Sequence, residues 1–227
     1  MPAKNKTAKT APSTSMDSTS PSARKAKGTG AVSPCFTAGS MIATSRGEVP
    51  VEKIVAGDLV LTRDRGYRAV RWAGGRALSA KDLTQMPDLR PIRIEKGSLG
   101  SGLPVRDLLV SPQHRILLTQ EITHLGTEGE VLVTAADLCC EPGIGVDDCT
   151  EVSYHHILFD AHEIICADGA WSESFLPRAE ALGGLHSRQY AEILRIFPEL
   201  ATQDGCARFV AAREFAVPQP VKVPLAA

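Results

Sequence analysis

The stretch MIATSRGEVPVEKI, residues 41–54, decides the fold class. Its two extended segments, 41–44 and 48–54, are separated by Ser45-Arg46-Gly47, and a Gly-containing turn between such segments is typical of a β-hairpin. Similar segments follow, with turn signals between them and no helical segment among them, so we predict an antiparallel all-β body rather than a parallel α/β sheet. The further predicted strands are 59–61, 67–72, 91–95, 107–110, 115–119, 130–134, 152–159 and 163–167.

The pattern changes near the C-terminus. Apolar residues recur at i, i+3, i+4 and i+7 within 187–197, which predicts a short amphipathic helix that ends near Pro198. A second helix is predicted over 178–185. We therefore expect a short helical addition at 177–200. The final stretch, 201–227, has no period and is predicted to be an extended tail.

Residues 1–34 consist mainly of Ala, Lys, Ser, Thr and Pro. Such a segment buries too little apolar surface to offset the entropy of ordering it, which predicts a disordered basic tail. It has no apolar segment of the secretory type, so a cytoplasmic location is expected, with non-classical export left open. The rest of the chain is acidic on balance, which argues against nucleic-acid binding. No apolar run approaches the ~20 residues of a membrane span, so no membrane partner is expected.

The six cysteines are unevenly spaced and do not resemble a disulfide framework. Zinc binding is a less favoured alternative, because His162-x-x-x-Cys166 is a usable ligand spacing. The other plausible ligand types are Cys139, Cys140, Cys149 and either His155 or His156. No Cys-x-x-Cys is present, however, and we predict neither a metal nor a cofactor. The cysteines are Cys35, Cys139, Cys140, Cys149, Cys166 and Cys206.

Three segments carry candidate chemistry. Cys35 stands where the predicted tail meets the first strand, so its thiol can reach the peptide bond before it. In the turn Ser111-Pro112-Gln113-His114, a hydroxyl and an imidazole three residues apart can both face one backbone amide. The third segment runs from Tyr154 to Gly169. It contains adjacent histidines at 155 and 156, of which at most one can join a site, because neighbouring strand residues point to opposite faces.

These three segments together resemble the Hint domain, the module shared by inteins and the autoprocessing half of hedgehog proteins. In that pattern a Cys begins the domain, a strand of small residues ends in Thr, and an apolar-Glu stretch leads to Gly-Asp, as at 35–58. The segment SPQHRILL resembles the second block, usually Thr-x-x-His. The segment 154–169 resembles the late block. The three segments occur in the order of the family pattern over residues 35–175, and their sequences are most similar to those of bacterial Hint-domain proteins. A Hint domain is thus expected at 35–176.

The resemblance implies a reaction at the Pro34–Cys35 bond. The Cys35 thiol would attack the Pro34 carbonyl in an N-to-S acyl shift that gives a thioester. His114 would protonate the departing nitrogen, and Ser111 would hold or polarise the peptide. The late-block residues Asp160 and His162 would assist proton transfer, and the partner would be the chain's own N-terminal segment.

The chain departs from the splicing members of the family at its late end. Splicing inteins end in His-Asn, whereas this chain reads Ser172-Glu173-Ser174-Phe175. Without an Asn to cyclise, we expect N-terminal cleavage without full splicing. The alternative is a degenerate, non-catalytic Hint module that acts as an interaction or carrier domain.

Overall fold

Two β-sheets and a set of C-terminal helices make up the described part of the chain, which is residues 33–119 and 129–216 of this computed structural model. The expected tail at 1–32 and the end of the chain at 217–227 lie outside the described residues. The strands are β1 Phe36–Thr37, β2 Met41–Thr44, β3 Gly47–Pro50, β4 Leu59–Thr62, β5 Gly66–Ala69, β6 Trp72–Leu78, β7 Ile92–Ile94, β8 Leu108–Val110, β9 Arg115–Leu118, β10 Val131–Thr134, β11 Ile144–Val146, β12 Val152–Leu158, β13 Ile164–Ala167, β14 Ala170–Glu173 and β15 Glu214–Ala216. The α-helices are α1 Ala80–Gln85, α2 Ala179–Gly183, α3 Ser187–Ile196 and α4 Gln203–Ala207.

The strands form one six-stranded and one nine-stranded sheet. The smaller sheet has the order β11-β7-β8-β1-β12-β6, and the larger follows β15-β10-β9-β14-β13-β2-β4-β5, with β3 paired to β2. The described pairs are antiparallel apart from β10 and β15, which run parallel. The predicted all-β body of antiparallel strands, with a short helical C-terminal addition, is confirmed.

The hairpin expected from residues 41–54 is formed by β2 and β3. Gly47 has a φ of 96°, a left-handed conformation that favours glycine. The Thr44 hydroxyl donates to the Gly47 carbonyl at 2.7 Å and so closes the turn. Along β2, half-buried and buried residues alternate, as expected for a strand with one face on the core.

Two apolar clusters hold the fold together. The larger lies within the body and contains residues of both sheets, among them Phe36, Ile42 and Ile116. The second joins Trp72 and Phe175, with Leu158, to residues in and between the C-terminal helices, which are Leu182, Ile193, Phe197, Leu200, Cys206 and Phe209. Burial of the second cluster docks the helices onto the body, since removing apolar area from water is the main favourable term in folding.

The expectation that no helix interrupts the strands was wrong. Helix α1 follows β6 directly and begins with a capping box, in which the Ser79 hydroxyl accepts from Asp82 N and the Asp82 carboxylate accepts from Ser79 N. The helix has only six residues, too few for an apolar period to show. Ser at the N-cap with an acidic residue three positions later was the available sequence signal.

The described part of 201–227 is also not an extended tail. Helix α4 starts at Gln203, and β15 adds a parallel strand beside β10. Phe215 of β15 packs under two guanidinium groups, with Arg115 at 4.0 Å and Arg178 at 4.8 Å from the ring centre. A strand of three residues cannot show alternation, and its place in the sheet depends on these distant partners.

No helix among residues 33–119 and 129–216 combines the length and the apolar character that crossing a bilayer requires.

Candidate functional site

Strand pairing places Cys35 between two other strands. Phe36 of β1 pairs with the last residue of β8 and with His155 of β12, in both cases antiparallel. Because both pairs are antiparallel, the residue before Phe36 lies beside the residues that follow Val110 and His155. Cys35 therefore lies next to Ser111 and His156. Cys35 is 5% exposed, so these contacts are made away from water.

Ser111 contacts the peptide bonds on both sides of Pro34. Its hydroxyl accepts from Cys35 N at 2.9 Å and donates to the Ser33 carbonyl at 3.0 Å. Its own N–H donates to the Cys35 carbonyl at 2.9 Å. Ser33 and Pro34 are both buried, so the last two residues of the expected disordered tail are ordered parts of the site.

His156 contacts the other two reacting atoms. Its Nδ1 lies 2.9 Å from the Pro34 carbonyl oxygen, and its two ring nitrogens lie 3.6 and 3.5 Å from Cys35 Sγ. A carbonyl only accepts hydrogen bonds, so the proton of neutral His156 belongs on Nδ1. Nε2 is then left open as an acceptor 3.5 Å from the sulfur. In the resting arrangement the thiol donates to the Ser33 carbonyl at 2.9 Å.

Burial keeps this site uncharged. It raises the pKa of the Cys35 thiol far above its usual range, and the hydrogen bond with Ser111 offsets only part of that rise. Burial also lowers the pKa of His156 to about 4, although the Pro34 carbonyl opposes this shift. At neutral pH a thiol therefore faces a neutral imidazole, because a low-dielectric site disfavours the charged form of both groups.

His114 lies next to the site but contacts it through Phe36. Its ring packs edge-on against the Phe36 ring, with 4.4 Å between the ring centres. Burial lowers the pKa of His114 to about 3, and the nearby Arg115 charge contributes. Neither ring nitrogen has a hydrogen-bond partner among the described residues. Cys35 N, the atom that the resemblance assigns to His114, donates to Ser111.

The two late-block residues lie in other surroundings. Asp160 is exposed and forms an ion pair with Arg71 at 3.0 Å. His162 is buried, with Nδ1 accepting from Ala212 N at 3.0 Å and Nε2 3.3 Å from a carboxylate oxygen of Glu173. The other oxygen of Glu173 accepts from the backbone and the guanidinium of Arg115, at 3.0 and 3.2 Å. We call His162, Glu173 and Arg115 the ionic cluster.

The residues considered for zinc do not converge. Among the described residues, no group of three or more His, Cys, Asp or Glu side chains has a metal-binding arrangement. The Cys139 and Cys140 thiols each point to a backbone carbonyl of the preceding turn, of Ala135 and Asp137. Tetrahedral zinc needs several such ligands around one point.

Sequence reasoning did not select His156. Because neighbouring strand residues point to opposite faces, we predicted that at most one of the adjacent histidines could join a site. The sequence pattern left open which of the two it is. His155 hydrogen-bonds Ser153 on the opposite face of β12. The register between β1 and β12 decides between them, and that register is a long-range property of the fold.

Comparison of the sequence with known families assigns the chain to a class of protein. The sequence model described as "Hint domain" matches residues 34–179, more than half of the chain, and the chain therefore belongs to the Hint domain family. Hint domains are autoprocessing-type domains that act on their own flanking segments. No curated protein matches the chain in sequence.

Several solved structures are similar at low identity. An intein-like domain from Clostridium thermocellum is 16% identical with a TM-score of 0.37, over 62% of this chain and 97% of that one. The gp41-1 intein is 14% identical with a TM-score of 0.37, over 62% and 98%. The MchDnaB-1 intein is 12% identical with a TM-score of 0.38, over 61% and 98%. The family assignment rests on the sequence match.

Proposed function

We propose that the chain cleaves itself at the Pro34–Cys35 bond through an N-to-S acyl shift and releases residues 1–34. One observation carries the proposal: two buried side chains contact all three reacting atoms. Ser111 holds the nitrogen of Cys35, while His156 lies on the carbonyl oxygen of Pro34 and beside the Cys35 sulfur. Pre-positioning of reacting groups is worth several orders of magnitude in rate.

The shift begins when Cys35 Sγ attacks the Pro34 carbonyl carbon. The thiol proton passes to the open Nε2 of His156, and the Nδ1–H of the same ring donates to the oxygen as negative charge develops there. A positioned donor of this kind stabilises the tetrahedral intermediate. The ring becomes a better donor at that moment, since it gains a positive charge as the oxygen gains a negative one.

The intermediate collapses when the bond between Pro34 C and Cys35 N breaks. His156 gives the nitrogen the proton that it took from the thiol, so the nitrogen becomes an amine, His156 is neutral again and the product is a thioester isomer of the starting chain. Ser111 is the side chain in hydrogen-bond contact with that nitrogen, and its hydroxyl oxygen holds the nitrogen in place during the step. Water or another nucleophile then attacks the thioester carbonyl, which releases residues 1–34 and a free Cys35 thiol.

No second cleavage at the C-terminal side belongs to this proposal. The corresponding place carries Glu173, which is fully buried within the ionic cluster, and no Asn is available there to cyclise. The partner of the reaction is the chain's own N-terminal segment. A reducing compartment such as the cytoplasm suits it, because Cys35 must remain a free thiol.

The second candidate is a Hint module that folds but does not cleave, and serves as an interaction or carrier domain. Burial of Cys35 favours this alternative, because its thiol is held in the non-nucleophilic form. The Pro34 ring also crowds the carbonyl that must be attacked.

The two candidates are separated by the intact mass of the purified full chain, with and without excess dithiothreitol. The thiol should capture the thioester and release residues 1–34, and Cys35→Ala should abolish that release. Cys166→Ala is the matched control, since Cys166 is a half-buried thiol on β13 of the other sheet, and it should cleave like the wild type. Pro34→Gly should cleave faster. If wild type and Pro34→Gly both stay intact in excess thiol over days, the non-catalytic module is correct.

A further inference from the structure

A cavity of about 110 Å³ opens directly beside the proposed nucleophile. It is lined at its inner end by Cys35, His156 and Ser33, the groups that surround the reacting peptide. Its remaining walls are supplied by side chains that the reaction described above does not use. They are Arg76, Leu78, Met86, Leu89, Tyr154, Gly184, Leu185 and Gln189.

The cavity is built between the Hint domain and the helical addition. The family match ends at residue 179, whereas Gly184, Leu185 and Gln189 come after it. Two hydrogen bonds fix this wall. The Ser33 hydroxyl donates to the Ala181 carbonyl at 2.7 Å, and the Gln189 amide donates to the Gly75 carbonyl at 3.3 Å. The helical addition therefore shapes the space next to the scissile bond.

The chemistry of the walls is apolar with one cation. Tyr154 already donates its hydroxyl to the Leu89 carbonyl at 2.7 Å, so it offers mainly its ring. Arg76 is exposed and forms no ion pair with any described residue. The charge of Arg76 does act on Asp82, whose carboxylate is hydrogen-bonded by Ser79. Among the described residues that line the cavity there is no carboxylate, and Arg76 carries the charge.

We propose that this cavity admits the acceptor that resolves the thioester, and that the acceptor is a small thiol carrying a negative charge. The volume of the cavity limits the size of the acceptor, and the positive charge of Arg76 favours an acceptor with a negative charge. A thiol is a better acceptor here than an alcohol, because a hydroxyl gives up its proton far less readily than a thiol does. Among the described residues that line the cavity, His156 is the base that can take this proton. This inference rests on the proposed self-cleavage.

The transfer is an exchange of one thioester for another. The acceptor sulfur attacks the Pro34 carbonyl carbon and forms a new C–S bond, and the bond to Cys35 Sγ breaks. The acceptor proton passes through His156 to the departing sulfur. Residues 1–34 leave as a thioester of the acceptor, and Cys35 regains its thiol.

The charge of the acceptor is tested by release of residues 1–34 from the full chain with 2-mercaptoethanesulfonate, 2-mercaptoethanol or cysteamine, at equal thiolate concentrations. The anionic thiol should react about two- to five-fold faster than the cationic one, the range of an exposed charge pair, and salt should reduce the difference. Arg76→Gln should remove the preference. Arg68→Gln, an exposed arginine on β5, should keep it.

The size of the acceptor is tested by enlarging the cavity. Met86→Ala should raise the rate with bulky thiols relative to small ones, whereas Met41→Ala, a half-buried methionine on β2, should leave that ratio unchanged. The released segment should carry the mass of the acceptor. Release without any charge preference, or with the same preference in Arg76→Gln, overturns the acceptor site and leaves self-cleavage standing. Absence of release with every thiol overturns both.

Discussion

Two buried histidines in this molecule have opposite surroundings. His156 touches the carbonyl of Pro34 and the sulfur of Cys35, which are the atoms of a bond that can be rearranged. His162 touches the carboxylate of Glu173 and a backbone N–H, which are groups that only hold one another in place. Both rings are almost fully buried, so burial alone does not distinguish a reacting histidine from a structural one.

The difference between the two groups lies in what each leaves free. In the ionic cluster, the backbone and the guanidinium of Arg115 both donate to one oxygen of Glu173, and the other oxygen lies 3.3 Å from His162 Nε2 with no hydrogen bond between them. Beside Cys35, the neutral ring of His156 keeps one nitrogen open toward a thiol. A buried imidazole with an open acceptor next to a nucleophile has a chemical use, whereas the imidazole of His162 faces a carboxylate that is already held by Arg115 and has no nucleophile beside it among the described residues.

The largest effect is expected at His156. His156→Ala should slow thiol-induced release of residues 1–34 by about 10²–10⁴-fold, the usual cost of losing acid–base assistance. His156→Gln should recover part of that loss, because its amide can still donate to the Pro34 carbonyl but cannot accept the thiol proton. Rates are measured by intact mass of the full chain.

His155→Ala is the control for that variant, since His155 lies on the same strand with its ring on the opposite face. It should cleave at the wild-type rate. Equal rates in His156→Ala and wild type would remove His156 from the reaction and return the proton transfer to His114, as the family resemblance implies.

The ionic cluster should show its largest effect in stability. Glu173→Gln removes the charge that faces Arg115 and His162 in a fully buried place, and breaking a buried pair in this way costs about 3–5 kcal/mol of unfolding free energy. Chemical denaturation measures this loss. Glu141→Gln, an exposed glutamate, should change stability by less than about 0.5 kcal/mol.

Cleavage by folded Glu173→Gln should proceed near the wild-type rate under conditions where the variant remains native. A drop of two orders of magnitude in the folded variant would show that the ionic cluster takes part in the reaction. The contrast between the two buried groups would then be wrong.

Most of the fold could be predicted from the sequence, because the signals for turns and strands lie within a few residues. The turn at Gly47 and the alternation along β2 both lie within a few residues, and they predicted the hairpin correctly. Helix α1 and β15 were missed because each is very short. The parallel pairing of β15 with β10 joins segments far apart in the chain, and no local pattern encodes it.

The residues of the candidate site could likewise be predicted only where a local motif marks them. Cys35 and Ser111 follow from short motifs, and the structure brings them together. His156 follows only from the register of β1 against β12, and Glu173 only from its burial beside Arg115. Both depend on how distant strands pair, which a single sequence does not show.

The neutral histidines should also make stability depend on pH. The pKa of His156 falls from its ordinary value of 6.5 to about 4 on folding, because burial disfavours the charged ring, so the unfolded chain binds more protons between these values. The contribution of His156 to the free energy of unfolding is therefore fully present above about pH 6.5. It declines as the pH falls toward 4, by up to about 1.4 kcal/mol per pH unit. Denaturation of wild type and His156→Gln across this range measures the difference, which should narrow on acidification. A constant difference would contradict the burial of a neutral ring.

The smallest effect is expected at Asp160, which the family resemblance assigns to proton transfer. Its carboxylate is exposed and pairs with Arg71, whose guanidinium also lies 5.8 Å from the centre of the Phe197 ring. An exposed ion pair contributes about 0.2–1 kcal/mol, so Asp160→Asn should lower stability by no more than that and leave the cleavage rate within about twofold of wild type. Arg71→Gln should cost slightly more stability, because it also loses the contact with Phe197. A tenfold loss of cleavage in Asp160→Asn, with Arg71→Gln unaffected, would show that the carboxylate reaches the site in the reacting state and serves the role that the resemblance gives it.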